Sequence, residues 1–158
     1  IIVSDVPEEI IKKYSVNNKI KFLGFINKER LFKEVYPNSD IFVYPSYTDT
    51  FGFQLTEAMS FGIPVVCVGG HSRKEIIETG KTGYVVNERE NLNVKSLENL
   101  EDYKDIIKEM EKKVELLIKN RKLRERMSNN AIKEIKKGRF SIKERNKKLE
   151  RIYSEAIK

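Results

Sequence analysis

Two carboxylates and a glycine between residues 45 and 62 are the groups of this 158-residue sequence best placed to do chemistry. Asp49 lies in a polar turn after an apolar run, Gly52 follows it, and Glu57 stands about a turn and a half into the helix that begins near Gly52. A helix that starts beyond the carboxyl end of a strand offers unpaired backbone N–H groups and a partial positive charge, which suits a phosphate. Gly52 permits a positive φ or a close backbone approach. Acids beside an anion site oppose the phosphate unless they serve other atoms. Hydroxyl groups are the natural partners, because a carboxylate accepts hydrogen bonds and donates none. One helix end would then hold phosphates through its backbone and a sugar through its acids. The structural alternative makes Asp49 an N-terminal cap and Glu57 a solvated helix residue.

The elements that must position these groups alternate. Short apolar runs at Ile1–Val3, Lys19–Gly24, Asp40–Pro45, Pro64–Val68 and Gly83–Val86 read as five strands. Between them, helices are expected at Glu8–Tyr14, Glu29–Val35, Leu55–Phe61 and Lys74–Glu78, with Gly62 and Pro64 stopping the third. Strands separated by helices predict an α/β fold with a parallel, Rossmann-like sheet flanked by helices. Residues 87–101 are polar and read as a linker. Beyond them, apolar residues recur at helical spacing: Ile106, Ile107, Met110, Val114 and Leu117, then Leu123, Met127, Ala131 and Ile135. A last helix begins at about residue 141, where Ser141 and Glu144 form a capping box. The expected division is an α/β portion over 1–86 and a helical portion over 102–158.

Composition excludes several classes. The single cysteine, Cys67, rules out an internal disulfide and a zinc cluster built on cysteines. No apolar run approaches the roughly 20 residues of a spanning helix, and no signal-peptide pattern is visible. The net charge of +7 invites a nucleic-acid reading, but residues 1–100 hold 12 basic and 13 acidic side chains, whereas residues 101–158 hold 19 and 11. The excess belongs to the terminal helices and reads as a solvated lysine-rich face. Weak attraction to an anionic membrane surface is the secondary expectation, and no nucleic acid is expected.

The string Pro45-Ser46, Asp49, Phe51-Gly52-Phe53, Glu57-Ala58-Met59, Gly62, Pro64-Val65-Val66 resembles the retaining glycosyltransferases of the large family 4 type, in the C-terminal half of their two-domain GT-B fold. Their motif carries two acids separated by seven residues, as Asp49 and Glu57 are. The likeness extends upstream to Ile20–Gly24 and downstream to Glu75–Ile77, Gly80–Gly83 and Arg139–Ser141. The resemblance implies a donor-binding domain for a nucleoside diphosphate sugar. Glu57 would hold the ribose hydroxyls and Asp49 the donor sugar, and these two are the implied catalytic residues. Backbone N–H groups of Phe51, Gly52 and Phe53 would meet the diphosphate, and Gly24, Phe25 and Ile26 would lie against the base. Hexosyl transfer would proceed with retention, without a cofactor and, for want of an Asp-x-Asp pair, without a metal.

Departures from the pattern are specific. The first acid is Asp where Glu is usual, and Thr50 follows it in place of Gly. Gly69-Gly70 resembles the family's diglycine loop, although counting back from Glu75 puts that loop at His71-Ser72. His71, the only histidine, reads as a surface loop residue, with contact to donor or acceptor as the alternative. Arg73 and Lys74 read as solvated, with an approach to the phosphates as the alternative. The chain starts at Ile1, one strand–helix unit later than the resemblance implies. It is therefore expected to be a fragment, inactive alone, that lacks the family's phosphate-binding Arg and Lys and its N-terminal acceptor domain. The whole protein is expected in the cytoplasm, peripheral to the membrane at most. The competing readings are a same-fold sugar-nucleotide epimerase or phosphorylase-like enzyme, and a non-enzymatic module acting through its basic helices.

Overall fold

The computed structural model describes residues 1–46, 49–86 and 101–157. The chain divides into two compact units, Ile1–Asn38 and Ser39–Lys158. The linker expected at 87–101 lies outside the described residues, except at its last position, where a helix has begun.

In the first unit, helix α1 (Glu8–Ser15) carries Glu8 and Glu9 in its first turn and Lys12 and Lys13 in its last, in the order its dipole favours. Helix α2 (Lys28–Arg30) is capped by Asn27, whose side-chain oxygen accepts from the Arg30 amide at 2.8 Å. It runs on through a wide helical turn at Leu31–Val35 and a tight one at Tyr36–Asn38. The strands expected at Ile1–Val3 and Lys19–Gly24 reduce to one parallel bridge between Ile2 and Phe22. Two hydrogen bonds make it, Ile2 N to Lys21 O at 2.8 Å and Leu23 N to Ile2 O at 2.9 Å. Two strands without a third to extend the face bury little, and Ile2 stays 37% exposed.

The second unit is built on three parallel strands, β1 (Phe42–Tyr44), β2 (Val65–Val68) and β3 (Gly83–Val86), in the order β1-β2-β3. Phe42 pairs with Val65, and Val65 with Gly83. Every residue of the central β2 is buried, as its unbroken Val-Val-Cys-Val run predicts for a strand covered on both faces. Helix α3 (Phe53–Ser60) packs on β1 and β2, and the short α4 (Arg73–Ile76) follows β2. Helix α5 (Glu101–Lys119) lies on β2 and β3, and α6 (Arg121–Lys136) packs on α3 and α5. Val66, Val68, Val86, Ile106, Met110, Leu117 and Met127 form the core between sheet and helices.

Gly83 is required by that sheet. A Cβ there would stand 2.2 Å from the carbonyl oxygen of Val65, so no larger residue fits the β2–β3 register. Helix α7 (Ile142–Ala156) is capped by Ser141 and has no buried residue. Its apolar side, Ile142, Leu149, Ile152 and Tyr153, is exposed. Among the described residues no helix is long and apolar enough to cross a membrane.

Candidate functional site

The carboxyl ends of β1 and β2 and the start of α3 bring four of the singled-out segments together. The turn between β1 and α3 is organised by Asp49. Its Oδ1 accepts hydrogen bonds from the amides of Phe51, at 3.2 Å, and Gly52, at 3.1 Å. Its Oδ2 accepts from the hydroxyl of Tyr44, the last residue of β1, at 2.5 Å. The Tyr44 hydroxyl above all, then the two amides and the charge of Arg73, hold the Asp49 carboxyl below its ordinary range, against a smaller opposing effect of burial. Burial, and then the bond to Asp49, pushes the Tyr44 phenol up. Two of the amides expected to meet a diphosphate, those of Phe51 and Gly52, are therefore already engaged by an oxyanion of the protein itself.

Gly52 is the residue from which α3 springs, and it takes φ 79° and ψ 55°, the left-handed region that glycine enters freely. Its carbonyl accepts from Leu55 N at 2.9 Å. Among the described residues the amides of Phe53 and Gln54 have no partner, as the first turn of a helix leaves them. Leu55, Ala58 and Met59 form the buried face of α3. Glu57 is half-buried and lies one turn beyond Phe53 on the same side of the helix. The rings of Phe51 and Phe53 stand 4.8 Å apart, and Phe53 is 68% exposed. Gly24, Phe25 and Ile26 belong to the other compact unit, where Gly24 has φ 62° and Phe25 is exposed.

The loop after β2 is tied to this turn. Ser72 Oγ donates to the carbonyls of Phe51, at 2.7 Å, and Thr50, at 3.2 Å. His71 is exposed and takes φ 47°, a conformation seldom adopted by residues other than glycine. Lys74 is exposed, as the solvated reading predicts. Arg73 is not solvated. It is 1% exposed, with its guanidinium carbon 5.8 Å from the centre of the Tyr44 ring. The sequence pattern misses this because arginine seldom lies inside. Gly69-Gly70 was the available signal, for a Cβ on Gly70 would come within 3.0 Å of Arg73 Nη1.

At the opposite, amino ends of β1 and β2 a groove of about 550 Å³ is lined by residues that include Asp40, Gly62, Arg121, Arg124 and Ser128. Its arginines are already engaged. Arg124 Nη1 donates to Leu117 O at 2.7 Å, and Arg121 pairs with Glu125 at 2.7 Å.

Residues 4–134 match the family described as Glycosyl transferases group 1. The O-antigen chain mannosyltransferase B of Escherichia coli is 33% identical over 100 residues, which are 62% of this chain and 26% of that protein. Among solved structures, Anabaena HepE in complex with UDP-glucose superposes with a TM-score of 0.62 at 21% identity, over 94% of this chain and 35% of the other. The C-terminal domain of a group 1 glycosyl transferase, LpcC of Francisella tularensis, superposes with a TM-score of 0.60 at 24% identity, over 85% of this chain and 60% of the other. The chain thus spans about a quarter of the mannosyltransferase and about a third of HepE. Its parallel sheet and flanking helices are those of a GT-B glycosyltransferase domain. The chain belongs to the group 1 glycosyl transferases.

Proposed function

We propose that this chain is the donor-binding part of a retaining glycosyltransferase that moves a hexose from a nucleoside diphosphate sugar to an acceptor. The observation that carries the reading is the turn at the start of α3, where backbone amides already hold a carboxylate oxygen and the next two amides are without partners among the described residues. Oriented amides at a helix start bind oxyanions of any kind, and a diphosphate is the oxyanion of this family's donors. That family membership favours the transferase over an epimerase or a binding module.

In this reading the amides of Phe51, Gly52 and Phe53 and the dipole of α3 stabilise the charge that develops on the leaving diphosphate. Glu57 accepts hydrogen bonds from the ribose hydroxyls. Asp49 turns from the Phe51 and Gly52 amides to the hydroxyls of the donor sugar when the diphosphate takes those amides. No metal ion is invoked, because the helix end and basic side chains meet the phosphate charge. The acceptor is held by an N-terminal domain beyond this chain, without which the chain does not turn over. The exposed side of α7 packs against that domain, and its lysines add at most a weak membrane attraction.

Calorimetric titration of the full-length protein with a panel of nucleoside diphosphate sugars tests the reading. One donor is expected to bind, and Glu57→Gln is expected to weaken it by about 1–3 kcal/mol, the range for a charge-assisted hydrogen bond. Unchanged affinity in Glu57→Gln refutes the ribose role.

A further inference from the structure

Among the described residues Arg73 is the largest fully buried side chain, and its guanidinium is poorly satisfied. Nη1 makes two long hydrogen bonds, to Gly70 O at 3.3 Å and Gly69 O at 3.5 Å. Nε and Nη2 are buried without a partner among the described residues. A guanidinium carries a permanent charge and five donors, and an interior site normally pairs it with a carboxylate. Here the neighbours are an aromatic ring, Tyr44, and the buried thiol of Cys67, which supply no compensating anion. Asp49, the acid whose carboxyl feels the Arg73 charge, has both oxygens bonded to Tyr44, Phe51 and Gly52.

The position of this arginine relates it to the start of α3. Its neighbour Ser72 is hydrogen-bonded to the carbonyls of Thr50 and Phe51, and the Tyr44 ring it lies against carries the hydroxyl that holds Asp49. Arg73, Tyr44, Asp49 and the amides leading into α3 are thus one connected set. Within it, the open donors are Nε and Nη2 of Arg73 and the amides of Phe53 and Gln54. All are donors, and together they lack one acceptor group.

We propose that Arg73 is an anion-binding residue stored in the interior, which swings from beneath the Tyr44 ring to meet a phosphate group seated on the first amides of α3. Moving it sacrifices two long hydrogen bonds and the contact with the Tyr44 ring, whereas an arginine paired with a buried carboxylate would be fixed in place. Its planar fork then bonds two phosphate oxygens at once. The missing Cβ of Gly70 gives the stored guanidinium its place, since a side chain there would come within 3.0 Å of Nη1. This assignment rests on the nucleoside diphosphate reading of the site and gives that site a cation from within the chain itself.

The test compares the full-length protein with its Arg73→Met and Arg73→Lys variants. UDP, GDP and inorganic pyrophosphate are titrated by calorimetry, and Tm is measured without and with each. Arg73→Met is expected to lower affinity for the binding ligands at least tenfold, and to leave the ligand-free Tm unchanged or raised, because it replaces an unpaired buried charge with a packed thioether. Arg73→Lys is expected to keep part of the affinity and to lose it as salt is added. Wild-type affinity in Arg73→Met overturns the proposal. So does a ligand-free Tm that falls in both variants together with binding, since that marks a structural residue. If a nucleoside diphosphate binds and Arg73→Met leaves it untouched, the Arg73 assignment fails alone. If pyrophosphate binds through Arg73 and no nucleoside diphosphate improves on it, the donor reading fails and the Arg73 assignment stands. No binding by any of the three overturns both.

Discussion

Removing the Tyr44 hydroxyl and the Asp49 charge, singly and together, measures the contact that holds the turn before α3. Tyr44→Phe leaves Asp49 with its two amide donors and deletes one charge-assisted bond. Such a bond contributes about 1.5–3 kcal/mol when fully buried, and this one is partly exposed, which brings the expected loss to about 1–1.5 kcal/mol. Asp49→Asn retains an acceptor for the amides but loses the charge that shortens the bond to Tyr44, at a similar cost. The double variant is expected to fall short of the sum by about 1 kcal/mol, the coupling between the two groups. Urea unfolding of the 158-residue chain at pH 7 reads all four members of the cycle. A pH series adds a second arm. The Asp49 carboxyl titrates below its ordinary 3.8 in the folded chain, so its contribution is complete above about pH 5 and fades as pH falls toward the folded value. The advantage of the wild type over Asp49→Asn is therefore constant above about pH 5 and shrinks as pH falls below it. The Tyr44 phenol titrates above its ordinary 10.0, so its contribution is present below pH 10 and is lost as pH rises through the folded value. A coupling below about 0.3 kcal/mol, within the additivity expected of independent sites, refutes the contact.

Gly83→Ala is expected to cost about 3 kcal/mol or more, because the added Cβ meets the Val65 carbonyl at 2.2 Å; thermal unfolding checks this. Asn120→Ala removes the cap that accepts from Leu123 N at 3.0 Å and should cost about 1 kcal/mol, read from the urea midpoint. Burial pushes the Cys67 thiol up to about 12, so a thiol reagent at pH 8 should label it only as fast as the chain unfolds. Charge reversal of several lysines in residues 133–148 should leave donor affinity in the full-length protein unaltered; a large loss by calorimetry would place those helices beside the site.

The alternation of strands and helices was legible because its signals are local. Pro64–Val68 and Gly83–Val86 form β2 and β3 nearly as read, since an apolar run closed by glycine or proline needs no distant information. Ile1–Val3 and Lys19–Gly24 look the same in sequence, yet whether a run becomes a strand depends on how many neighbours pair with it, and one bridge is all they make. Glu144 pairs with Lys147, and Lys113 lies over the Tyr84 ring, partners that spacing alone does not choose because long side chains select among neighbours only in three dimensions. At the site, the Asp49 and Glu57 spacing and the Gly52 turn were visible. Tyr44 read only as the end of a strand, and Ser72 as loop, because their bonds to Asp49 and to the Phe51 carbonyl join segments that no spacing rule connects.

The sheet order has a consequence for how the chain is made. Because β1, β2 and β3 stand side by side in the order of synthesis, each new strand docks on the growing outer edge. Strand β2 is apolar along its whole length, and from the moment Val68 leaves the ribosome until Val86 does, its far edge is open. At about 5–20 residues per second that interval lasts about one to four seconds. The face that Ile106 and Met110 will cover stays uncovered for longer. An unpaired Val-Val-Cys-Val edge is a template for another nascent chain. The period between β2 and α5 is therefore when this protein depends most on a chaperone or on slow, well-separated translation.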